Sequence, residues 1–106
     1  MSLGLIKRGM CLWIGKDQYG SPPPFSGLVV DILGSSEPHL QSQLHLHESV
    51  RLNASYTVTL LLEGVPETWV LEVDFVWPDR ITSVSGRRVI THPTRTERWF
   101  EISILK

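Results

Sequence analysis

The stretch "SYTVTLLLEGVPETWVLEVDFVW", residues 55–77, decides the fold class. In its first part the even positions Tyr56, Val58, Leu60 and Leu62 are apolar and Ser55, Thr57 and Thr59 oppose them. In its second part the odd positions Trp69, Leu71, Val73, Phe75 and Trp77 are apolar, with Thr68, Glu72 and Asp74 opposite. Side chains alternate across a strand, so a period of two over such a length predicts two strands, each with one buried face. Residues Gly64 to Glu67 place a glycine and a proline where a ladder has to stop, which reads as the turn of a long β-hairpin. The nine apolar residues are expected to supply the largest share of one core.

Outward from the hairpin the same period recurs. "LWIG" at 12–15 and "GLVVDIL" at 27–33 read as strands, separated by "KDQYGSPPPFS", whose prolines at 22–24 forbid regular pairing. At the other end Phe100, Ile102 and Ile104 share one face, with Glu101 and Ser103 on the other. Between them two short strands are expected, at about 80–84 and 87–91, joined by a turn at Ser85-Gly86. If 43–53, "QLHLHESVRLN", form a strand, Leu44, Leu46, Val50 and Leu52 face inward, His45 and His47 stand outside with Ser49 and Arg51, and Glu48-Ser49 marks a bulge.

No window places apolar residues at i, i+3, i+4 and i+7, so the chain is expected to be all-β. Its 106 residues suit one domain, residues 1–106, burying somewhat over ~60% of its unfolded surface. About six to eight short strands then imply a small antiparallel barrel, with a compact β-sandwich as the alternative. The glycine ahead of the Trp-bearing strand, the Pro-rich loop and "FSGLVVDI" at 25–32 resemble the opening of SH3-like and Tudor-like barrels over about a third of the chain. That resemblance implies a barrel in preference to a sandwich.

The one cysteine, Cys11, has no partner for an internal disulfide and sits in "MCLWI", where it is expected to pack as a small hydrophobe. "MSLGLIKRGM" lacks the apolar length of a signal peptide, and no later window reaches the ~20 apolar residues of a membrane span. A cytoplasmic location without membrane contact is the expectation.

Function classes follow from what the residues provide. His45 and His47, two apart on a strand, present imidazoles suited to one metal ion, yet no third ligand stands at a telling spacing, and an exposed strand face is the reading adopted. No nucleophile elbow, phosphate-cradling glycine loop, H-E-x-x-H or C-x-x-C occurs, so no catalytic residue and no cofactor is assigned. Glu72 and Asp74 share a strand face and read as its solvated side.

The Pro-stiffened loop flanked by Tyr19 and Phe25 is the best recognition element, unless the two aromatics fold back over the core. Charge is unevenly spread: residues 1–78 carry four basic against eight acidic side chains and residues 79–106 six against three, within a net charge of −1. Arg87, Arg88, Arg95 and Arg98, with Trp99 for stacking, form a basic C-terminal quarter that suits nucleic acid or an acidic partner. The competing expectation is that these arginines pair across strands with Glu63, Glu72 or Asp74.

Three readings result. The leading one is a small non-enzymatic interaction domain for an unidentified protein partner or for self-association, with Trp99 as anchor on an uncovered C-terminal strand. The second is a nucleic-acid-binding small barrel built on the arginines. The third is a metal-dependent enzyme or small-ligand binder around His45 and His47.

Overall fold

The computed structural model describes residues 3–17, 20, 24–38, 51–89 and 98–105. Six strands carry the fold: β1 (Cys11–Asp17), β2 (Phe25–Ser36), β3 (Arg51–Leu62), β4 (Val65–Val76), β5 (Arg80–Arg88) and β6 (Phe100–Ile104). Each is antiparallel to its chain neighbour, and β6 returns to pair with β1, so the sheet closes into a six-stranded barrel. The described residues contain no helix. The sandwich alternative is thereby set aside.

The hairpin of β3 and β4 forms as the alternation predicts, paired without a break from Arg51 opposite Val76 to Leu62 opposite Val65. Its turn is tighter than expected. Glu63 and Gly64 make the whole loop, with φ of 50° and 83°. Positive φ at both central residues is the type I′ turn, whose twist matches that of the strands it joins. Val65, Pro66 and Glu67, expected in the turn, lie in the ladder instead. Pro66 opposes Leu61 one step from the closing pair, a position without hydrogen bonds to β3, so its missing N–H costs no rung there.

The expected break at Ser85-Gly86 is a second correction. Strand β5 runs unbroken from Arg80 to Arg88, and no separate 87–91 strand is seen among the described residues. Gly86 is buried and points into the barrel. A Cβ there would stand 2.5 Å from Ile102 Cδ1, 2.8 Å from Leu71 Cδ2 and 3.3 Å from Trp69 Cε3. The glycine makes room for large neighbours rather than for a turn, a role that strand glycines take where packing is close.

The core is the inner face of the closed sheet. Trp69, Leu71, Val73, Phe75, Val58 and Leu60 are fully buried together with Leu12, Ile14 and Val29, and Tyr56, Leu62, Phe100 and Ile102 are nearly so. Trp77, the last of the nine expected core residues, lies beyond β4 and is only partly buried. Alternation through β1 sends Leu12 and Ile14 inward, which turns Cys11 and Trp13 outward. Cys11 is exposed rather than packed, and Trp13 is 43% exposed.

One end of the barrel is closed by the chain ahead of β1. Leu5 and Ile6 are buried in the core, and the Leu5 N–H donates to the Tyr56 hydroxyl at 3.2 Å. Glu37, just after β2, accepts hydrogen bonds from the N–H of Leu3 at 3.0 Å and of Gly4 at 3.2 Å and also from the Tyr56 hydroxyl. Burial first, and then the Glu37 carboxylate, push the Tyr56 phenol well above its ordinary pKa.

Candidate binding face at the hairpin end of the barrel

The opposite end is formed by the last residue of β1, the first of β2, the β3–β4 turn, the end of β5 and the start of β6. Nearest-neighbour topology therefore brings to one end the strand ends that flank three connections of the chain, 18–24, 63–64 and 89–99. Five of the seven residues singled out from the sequence for binding meet there: Phe25, Arg87, Arg88, Arg98 and Trp99. Tyr19 and Arg95 belong to the same connections but lie outside the described residues, as do His45 and His47.

An aromatic cluster with a guanidinium on top occupies the centre of this end. Trp69 and Phe100 lie with ring centroids 5.4 Å apart, and Phe25 meets them edge-on at 6.5 and 6.1 Å. These are the offset and edge-to-face separations that ring quadrupoles favour. Arg88 covers both larger rings, 5.2 Å from the centroid of Trp69 and 5.8 Å from that of Phe100. Its Nε donates to Glu67 Oε1 at 2.7 Å, and the same oxygen accepts the Trp69 indole N–H at 3.1 Å. The buried indole thus has its partner, and the arginine is held by stacking and an ion pair at once. Phe25 is partly buried, with one face on the core, so it half fulfils the fold-back alternative.

Beside this cluster opens a cleft of about 520 Å³ lined by Pro24, Phe25, Leu62, Glu63, Val65, Glu67 and Arg88. Across the Arg88–Glu67 pair a second hollow of about 300 Å³ is lined by Glu67, Thr68, Arg88 and Val89. Val65 is 56% exposed and Val89 44%, so apolar side chains stand open to solvent beside the charged ones. Gly27 shapes the floor: an added Cβ would meet Leu62 Cδ2 at 2.7 Å, so the missing side chain lets Leu62 settle under the cleft.

On the β6 side Arg87 lies over Trp99 at 5.5 Å, and Arg98 Nη1 stands 3.8 Å from Oδ2 of buried Asp17. Lys16, Asp17, Ser85, Trp99, Phe100 and Glu101 border a hollow of about 220 Å³. Two expectations change here. Trp99 is half-buried beneath an arginine rather than standing free, and β6 pairs with β1 on one side and β5 on the other, so it is no uncovered edge. The expected cross-strand arginine partners also differ. The register sets Glu72 opposite Ser55 and Ser85, and Asp74 opposite Asn53 and Ser83. Glu72 accepts from Ser55, and Asp74 from Asn53 and Ser83, which makes both carboxylates part of a polar outer wall.

The outer surface also carries an apolar row, which the sequence reading missed. Register aligns Cys11, Leu28, Leu61 and Pro66 across β1 to β4, and the Leu105 N–H donates to the Cys11 carbonyl at 2.8 Å to extend the row. Leu105 is exposed, and exposed Trp13 flanks the row. The run "MCLWI" suggested a packed Cys11 because every residue in it is apolar, and the alternation of β1 divides it into two faces. Glu63, Val65, Glu67 and Val89 were missed as well. Their signal is topological, since nothing local marks them until the hairpin and β5 are placed side by side.

Among the described residues no group of three His, Cys, Asp or Glu side chains is placed to hold a metal ion. Comparison with family models, with curated proteins and with solved structures returns no match for this chain.

Proposed function

We propose that this chain is a small non-enzymatic interaction domain that binds a protein partner through the hairpin end of its barrel. One observation carries the reading: an open cleft of about 520 Å³ with apolar rim residues sits directly beside an arginine already oriented by two rings and a carboxylate. A prearranged cleft with few, fixed polar groups favours binding because little ordering entropy remains to be lost. In this reading the chain shares with SH3-like barrels the use of a small closed sheet as a platform for loops, and it works in the cytoplasm. The nucleic-acid alternative rests on Arg87, Arg88 and Arg98. Arg88 and Arg98 already face carboxylates, which weakens their draw on phosphates, and protein is therefore preferred.

A photo-crosslinking residue at Val65, in cells that make the protein, tests this. The expected result is a heterologous protein adduct at Val65 that Arg88→Glu diminishes, with none from the same group at exposed Leu33 far along β2. Equal labelling from both positions would discard the reading.

Self-association has its own supporting observation, the apolar row of Cys11, Leu28, Leu61, Pro66 and Leu105 with Trp13 beside it. An uncharged patch on one wall is self-complementary across a two-fold axis. Sedimentation at micromolar concentration is expected to give a dimer that Trp13→Lys converts to monomer; a wild-type monomer under those conditions excludes it.

A further inference from the structure

Resting on the interaction reading, we propose that the hairpin-end cleft recognises an extended segment of the partner protein in which an apolar side chain is flanked by Lys or Arg, with Glu63 as the carboxylate that selects the positive charge. The charges of the cleft carry the argument. Among the described residues of its lining, Glu63, Glu67 and Arg88 are the ionisable side chains. Arg88 and Glu67 neutralise one another at 2.7 Å, which leaves the Glu63 carboxylate as the uncompensated charge among the described residues of the lining. Glu63 is exposed and has no hydrogen bond or ion pair among the described residues. The apolar part of the lining, Pro24, Phe25, Leu62 and Val65, faces the same space and suits an aliphatic side chain. The occupant this combination complements is apolar and cationic, and the same charge disfavours an acidic segment or a phosphate backbone.

The backbone adds a reason to single out Glu63. It holds φ of +50° at the first position of a type I′ turn, where Asn, Asp or Gly is ordinary and glutamate is strained. No hydrogen bond or ion pair of the Glu63 side chain among the described residues offsets that strain, whereas a positively charged ligand at the cleft would engage the carboxylate.

Two capped pentapeptides, Gly-Lys-Leu-Lys-Gly and Gly-Glu-Leu-Glu-Gly, titrated against the ¹⁵N-labelled full chain at low salt, provide the test. The cationic peptide is expected to shift the amides of Phe25, Leu62 to Val65 and Arg88, and to bind about three- to tenfold more tightly than the acidic one. Glu63→Gln and Glu63→Asn are expected to abolish that preference while the remaining spectrum stays that of the folded barrel. Equal shifts from both peptides, or an undiminished preference in either variant, overturn the charge assignment and leave the interaction reading standing. Absence of shifts at this end from both peptides overturns the assignment as well, and crosslinking at Val65 then decides the interaction reading separately.

Discussion

At the scale of single residues, the energetics are set by a few side chains whose surroundings admit no substitute. Phe75 is fully buried on the inner face of β4, and Phe75→Ala is expected to cost about 3–5 kcal/mol in chemical denaturation, because the closed sheet around it has little freedom to collapse into the space. Gly86→Ala acts in the opposite sense: its methyl has to displace the tips of Ile102 and Leu71 inside a filled barrel, at about 1–3 kcal/mol. Glu63→Asn relieves a strained turn and is expected to raise stability by about 0.5–1 kcal/mol. A loss of stability in that variant would show that the glutamate supports the hairpin after all. Glycines illustrate why local sequence is ambiguous. Gly64 and Gly86 both interrupt apolar runs, and both read as turns. Only one has positive φ, while the other is a space filled by Ile102, Leu71 and Trp69.

At the scale of elements, the hairpin of β3 and β4 was legible because its alternation runs far beyond what chance or helix periodicity produces. Its turn was misplaced by one residue at the start and three at the end, since Pro66 suggested a loop where the ladder tolerates it. The segment ahead of β1 was not legible, because Leu5 and Ile6 stand in no periodic pattern and become core only when Tyr56 and Glu37 are in place around them. Tyr56→Phe removes the acceptor of the Leu5 N–H and one partner of Glu37, and is expected to cost about 1–3 kcal/mol. The same residue sets a pH dependence. Its phenol titrates higher in the folded chain than its ordinary value near 10, so above that pH the unfolded state loses a proton that the folded state keeps. Stability is therefore full below about pH 10 and falls as pH rises further. In Tyr56→Phe this part of the alkaline decline is absent, and an alkaline limb identical in the two proteins would refute the coupling.

At the scale of the whole molecule, closure of the sheet is what makes the site. Phe25, Arg87, Arg88, Arg98 and Trp99 stand in three stretches far apart in the chain, and no period or motif says that these stretches share an end. That information lies in the cyclic order of the strands. Closure also removes β6 as an edge, so the C-terminal strand offers no open row of backbone groups for strand addition. The direct measurement is of the β1–β6 seam itself, by long-range NOEs and amide exchange. Contacts between Trp13 and Ser103 and between Ile14 and Ile102, with slowly exchanging β6 amides, are the predicted result. Fast exchange along β6 and no contact from it to β1 would mean an open sheet with two edges, and the account of both fold and site would fall.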